Sequence, residues 1–215
     1  MRRVSEAGDA FQITAPDGHG PGVLVLHSSW GLTEGVRSYC REISDAGFTV
    51  VAPDLLDGRV AADRDDADRL LQEVDPNRLS VLVQAGARAL YQTGRDPEAK
   101  MAVIGFGMGG SLAFWAGARL ALIFDRSVSF CAVQSVDFAA AEGPFLGHFG
   151  GDDPLVSEDD RTYTESLIRL GGNEAAFHVY EGAGSGFAEP GHPAFRGADA
   201  AVAMRRTLEF LAAGR

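Results

Sequence analysis

Six residues near the middle of the chain, Gly105-Phe106-Gly107-Met108-Gly109-Gly110, have the types and spacing of a turn that does chemistry. An apolar run from Met101 to Ile104 precedes them. An apolar segment of helical length, Leu112 to Leu120, follows. That order reads as buried strand, sharp turn and helix. Two chemistries use such a turn. In a nucleophile elbow, G-x-nucleophile-x-G, a Ser or Cys is held exposed above a parallel sheet. In a dinucleotide fingerprint, G-x-G-x-x-G, backbone N–H groups cradle a pyrophosphate. Gly105, Gly107 and Gly110 satisfy that spacing, and Asp125 lies near the ~20-residue distance of a ribose contact. The fingerprint normally opens its domain, whereas several strands precede this turn, which favours the elbow. Gly107 then occupies the nucleophile position, and it has no side chain.

The elements that must position such a turn are legible on both sides of it. Phe11 to Ala15 reads as a short edge strand, ended by Pro16-Asp17-Gly18. Val23 to Leu26 and Phe48 to Ala52 are continuous apolar runs, typical of strands buried on both faces. Between them Thr33 caps a helix through Ala46, stopped by Gly47. Leu79 to Tyr91 has helical spacing behind Asp75-Pro76-Asn77. Val128 to Val133, Pro144 to Phe149 and Ala176 to Tyr180 read as further strands. Ser157 to Leu170 and Ala198 to Ala212 read as helices. Strands alternating with helices imply a mostly parallel sheet with helices on both faces, in one α/β domain over residues 1–215. Working loops in such sheets lie at the carboxyl ends of the strands. His27-Ser28-Ser29-Trp30, Gly107-Met108, Asp153 and Ser185-Gly186-Phe187 all follow strands, so they are expected to converge on one pocket.

Composition narrows the partners. A net charge of −11 over 215 residues, with no basic patch, argues against nucleic acid or an anionic membrane. The opening MRRVSEAGDAFQ has basic residues but no apolar core of a signal peptide, and no apolar run approaches the ~18 residues of a membrane span. Two cysteines, Cys40 and Cys131, form no disulfide framework, so the cytoplasm is the expected compartment. No histidine spacing suggests a metal site, and no cofactor is expected. The run Asp63 to Asp68 reads as a solvated surface.

Five segments, in order and at matching spacing, carry a resemblance that spans nearly the whole chain. They are GPGVLVLHSSWGL (20–32), AGFTVVAPDLLDG (46–58), IGFGMGGSLAFW (104–115), FLGHFGGDDPLV (145–156) and VYEGAGSGFAEP (179–190). Together they resemble the dienelactone hydrolase family. The resemblance implies a single-domain α/β-hydrolase fold and, in family members, ester or lactone hydrolysis. It also marks departures. The family's nucleophile position holds Gly107, its histidine position holds Ser185, and the position of an accessory glutamate falls near Ser28. The triad acid alone matches, at Asp153.

Those departures bear directly on mechanism. Covalent acyl transfer needs a nucleophile activated by a base. Glycine offers neither oxygen nor sulfur, and a serine hydroxyl is too weak a base near pH 7. An oxyanion hole of backbone N–H groups, here Met108 and the Ser28–Ser29 loop, survives the loss of side chains. The leading expectation is a pocket for a small organic molecule, lined by Ser28, Ser29, Trp30, Gly107, Met108, Asp153, Ser185 and Phe187. It would serve non-covalent cyclisation, isomerisation or elimination, or simple binding. One alternative is a hydrolase with relocated groups, Asp153 with His27 or His192. Another is a non-catalytic partner protein.

Overall fold

The computed structural model describes residues 10–93 and 95–213. The opening residues 1–9, which the search for a targeting segment covered, lie outside the described residues, as do 94, 214 and 215. Seven strands form one sheet in the order β1-β3-β2-β4-β5-β6-β7. The strands are β1 (Ala10–Ile13), β2 (Gly22–Leu26), β3 (Thr49–Pro53), β4 (Met101–Phe106), β5 (Phe124–Phe130), β6 (Phe145–Gly150) and β7 (Ala175–Tyr180). β1 runs antiparallel to β3 at one edge, and every other pairing is parallel.

Alternation along the central strands sends side chains to two separate layers. Val23, Val25, Val50, Ile104 and Phe106 pack against α1 (Glu34–Asp45) and α6 (Gly197–Ala212). Leu24, Leu26, Val51, Met101 and Val103 pack against α3 (Pro76–Gln92) and α4 (Met108–Arg119). Farther along the sheet, Phe114 of α4 and Ile168 of α5 (Glu158–Leu170) enclose Phe145 and Ala175. Each fully buried Val or Leu contributes roughly 1.5–3 kcal/mol, so the paired layers dominate the stability of the sheet. Local signals set the helix starts. Thr33 accepts the Val36 N–H at the head of α1, and Ser157 with Asp160 forms a capping box on α5.

Two boundaries differ from the sequence reading. β5 begins at Phe124 and ends at Phe130, earlier than the apolar run suggests. Its first residues include Asp125 and Arg126, whose polarity hides a strand. The chain then leaves the sheet at Cys131, which has φ +54°. Helix α4 begins at Met108, so Gly109 and Gly110 lie inside it. They do so because the helix runs close against its own strand: a Cβ at Gly105 would overlap the Gly109 carbonyl. The charge run also changes meaning. Asp63 caps α2 (Arg64–Gln72), which buries Ala67 and Leu70 and packs with Trp30 and Met108 over the carboxyl ends of the strands. Among the described residues no helix is long and apolar enough to cross a membrane.

Gly105→Ala is therefore expected to be among the most damaging single substitutions in the fold. Because backbone opposes the new methyl, it should cost about 3 kcal/mol or more, read as a lowered urea midpoint with unchanged slope.

Candidate functional site

The turn between β4 and α4 has the backbone of an elbow. Gly107 sits at φ 51°, ψ −117°, which L side chains rarely adopt. Its N–H donates to the Phe130 carbonyl at 2.9 Å, and its carbonyl accepts the Gly110 N–H at 2.8 Å. These bonds hold the turn without any side chain. A Cβ at Gly107 would meet only Ser28 Cβ, at 3.4 Å, so the space above the turn is open. Met108 is the first residue of α4, and its N–H has no carbonyl partner within that helix.

The space above Gly107 belongs to a cavity of about 290 Å³. Of the residues singled out by sequence, Ser28, Ser29, Trp30, Gly107, Met108 and Ser185 border it. Three others are placed elsewhere. Phe187 is fully buried and packs on Tyr180, with ring centroids 4.6 Å apart. Its neighbours turn it into the core because Gly186, at φ +80°, reverses the chain there. His27 is also fully buried. Its Nδ1–H donates to the Ser28 carbonyl at 2.7 Å, and its Nε2 accepts the Leu55 N–H at 2.8 Å. Both nitrogens are thus spent tying the loop after β2 to the loop after β3, which leaves none for substrate. Asp153 is 8% exposed and lies behind the cavity wall. Its Oδ1 accepts the Leu155 N–H at 2.9 Å, while Oδ2 is buried without a conventional partner and faces the Cys131 thiol. Burial raises the Asp153 carboxyl and pushes the Cys131 thiol up to about 12, so the thiol stays protonated and inert.

His192 does border the cavity, with its ring edge-to-face on Trp30 at 4.9 Å. Its Nδ1 accepts the Ala194 N–H at 3.0 Å, so the neutral ring carries its proton on Nε2 and offers a donor there. Burial, with the Arg64 guanidinium adding to it, lowers its affinity for a second proton. A base role would require that tautomer to invert. Asp125, the residue a dinucleotide reading would use, lies in the first turn of β5, at the opposite end of the parallel sheet from Gly107.

The residue that sequence reasoning missed is Glu189. It is 3% exposed, borders the cavity, and accepts a hydrogen bond from Ser28 Oγ at 2.8 Å. The Ser28 backbone N–H also faces its carboxylate. Ser28 Oγ in turn accepts the Trp30 N–H at 3.1 Å, which fixes the hydroxyl's direction. Burial pushes the Glu189 carboxyl up to about 7, and the bonds from Ser28 offset only part of that rise. The accessory acid position near Ser28 is therefore not without a carboxyl. One reaches it from the loop after β7 instead of the loop after β2. The available signal was a single acid inside an otherwise small and apolar run, Gly186-Phe187-Ala188-Glu189-Pro190, with no basic residue beside it. Arg64 and Asp68 of α2 also line the cavity, so the acidic run is partly a wall rather than only solvated surface. Among the described residues no group of His, Cys, Asp or Glu is assembled to hold a metal ion.

A mostly parallel sheet with a glycine-held elbow after its central strand, covered by helices on both faces, is an α/β-hydrolase fold. The sequence model of the dienelactone hydrolase family matches residues 9–214, and the chain belongs to that family. It is 31% identical over 209 residues to carboxymethylenebutenolidase 1 of Cupriavidus pinatubonensis, covering 89% of this chain and 86% of the relative. It is 28% identical over 211 residues to a carboxymethylenebutenolidase of Pseudomonas putida, covering 89% and 85%. In structure it is similar to a dienelactone hydrolase-like promiscuous phosphotriesterase from metagenomic libraries. That match has a TM-score of 0.80, 20% identity, and coverage of 95% of this chain and 98% of the other.

Two outcomes test this geometry. Gly107→Ala should destabilise the fold by about 1–3 kcal/mol in urea titrations, because alanine must be held at positive φ although space for its methyl exists. A neutral effect would mean that the turn relaxes in solution. Glu189 gives a pH signature. Its carboxyl binds a proton more tightly in the fold, about 7 against 4.5. The stability it permits is therefore fully present below pH 4.5 and lost as pH rises through about 7. Relative to Glu189→Gln, the wild-type chain should lose on the order of 3 kcal/mol across that window and nothing further above it.

Proposed function

We propose that this protein performs acid–base chemistry on a small carbonyl compound, of the lactone or enol type, without an acyl-enzyme intermediate. The ordinary triad is absent: Gly107 cannot attack, and Ser185 cannot serve as base. One observation carries the reading. A buried carboxyl that titrates near neutrality, Glu189, is bonded to Ser28 directly beside the open space left at Gly107. A group with a proton affinity close to ambient pH both accepts and returns a proton with little bias, as general acid–base catalysis requires. The N–H groups of Met108 and Ser29, both on the cavity wall, are suited to receive negative charge on a carbonyl oxygen. The relatives' name denotes action on a carboxymethylenebutenolide, an unsaturated lactone, which supports a substrate of that size and kind.

The steps follow from these groups. The Glu189 carboxylate takes a proton from the carbon next to the carbonyl. The electron pair moves onto the carbonyl oxygen, giving an enolate held by the backbone donors. The protonated Glu189 returns the proton at another carbon; or the enolate carbon adds to a second carbonyl of the same substrate, closing a ring, or expels a β-substituent, and Glu189 then gives its proton to the alkoxide or the departing group. Isomerisation, cyclisation and elimination are thus three exits from one intermediate.

An enol lactone, α-angelica lactone, separates the possibilities in one tube. The expected product is its conjugated isomer, followed by ultraviolet absorbance and NMR, with Glu189→Gln slowing the conversion by about 10²-fold or more. Accumulation of the ring-opened keto acid would instead favour the hydrolytic alternative. Mass spectrometry after mixing with p-nitrophenyl acetate should find no stoichiometric acyl adduct on a cavity residue; such an adduct would overturn the non-covalent reading.

A further inference from the structure

A second chamber of about 460 Å³ adjoins the first. Trp30, Arg64, Ser185 and His192 border both, so these four residues stand where the two spaces meet. Ala62, Pro154, Pro193 and Ala194 line the outer chamber with methyl groups and pyrrolidine faces, beside the Trp30 indole. Two charged groups on its rim already have partners. Asp63 caps α2 by accepting the Asp66 N–H at 2.9 Å, and Arg64 pairs with Asp68 at 3.4 Å. Two chambers of this size, joined end to end, exceed what a lone lactone ring fills, and apolar walls favour hydrocarbon over polar groups.

We infer that the outer chamber is a second substrate subsite that takes the apolar tail of a two-part molecule, whose carbonyl-bearing head lies in the inner cavity above Gly107. It rests on the reading that the inner cavity holds that head. The substrate class is then a lactone or related carbonyl compound with a hydrocarbon chain of several carbons.

A ligand-observed NMR titration with γ-alkyl-γ-lactones reads this directly. The probes are γ-valerolactone, with a methyl tail, and γ-undecalactone, with a heptyl tail. The longer lactone should bind the wild-type protein about tenfold or more tightly than the shorter one. Ala194→Trp and Ala62→Trp, which fill the chamber from opposite walls, should each cut that ratio below about threefold. Both should leave γ-valerolactone binding unchanged, and circular dichroism identifies a variant that fails to fold. Equal affinity for the two lactones, no saturable binding of γ-undecalactone, or a ratio that persists in both folded variants would overturn the inference. Glu189→Gln should leave the ratio intact, so failure of the acid–base reading and failure of this subsite are seen separately.

Discussion

The backbone at Gly107 is the constraint on which the site depends. The residue sits at positive φ, anchored on one side to β5 through the Phe130 carbonyl and on the other to the first turn of α4. That anchoring sets the start of α4, so that Met108, its first residue, borders the cavity. The close approach of α4 to β4, with no room for a Cβ at Gly105, keeps the turn tight. In an elbow with a reactive side chain, such strain is offset by the rest of the fold. Here glycine bears it at little steric cost, and the geometry persists without the group it would ordinarily present.

What stands beside that opening is a carboxyl placed by the meeting of two loops. Ser28 comes from the end of β2, Glu189 from the loop after β7, and Trp30 holds the Ser28 hydroxyl in line. Desolvation alone would make a buried carboxyl a liability, raising its pKa and costing stability at neutral pH. The bonds from Ser28 limit that cost without removing it, which leaves Glu189 near 7. The histidines are held differently. His27 has both nitrogens occupied, and His148 bonds Tyr180 and Thr207 in the core, where burial pushes it down to about 3. Of the three, His192 alone borders the cavity, its ring edge-to-face with Trp30.

Much of the fold was legible in the chain order of residues. Apolar runs and capped amphipathic segments marked the sheet, a short edge strand and most helix limits, because periodicity and capping are local properties. Gly107, Ser185 and the strand-end loops were identifiable for the same reason: their spacing follows the elements that precede them. The start of β5 was not, since Asp125 and Arg126 carry no apolar signal. Nor was the start of α4, since two glycines at a helix head read as a loop until the strand behind them is seen.

The chemistry of the site was decided by tertiary structure. Ser28 and Glu189 are 161 residues apart, and nothing near either in sequence says that they meet. The rise of the Glu189 carboxyl is a desolvation effect, which depends on what covers the group and not on what adjoins it along the chain. Phe187, two residues earlier in the same loop, faces the core for a reason equally invisible in composition, the reversal at Gly186. The sequence by itself determined that a sheet would bring these loops to one end and that the turn after β4 would carry glycine at position 107. Which side chains then turn inward, which are dried, and which leave space between them depended on three-dimensional packing, because burial is a property of neighbours in space.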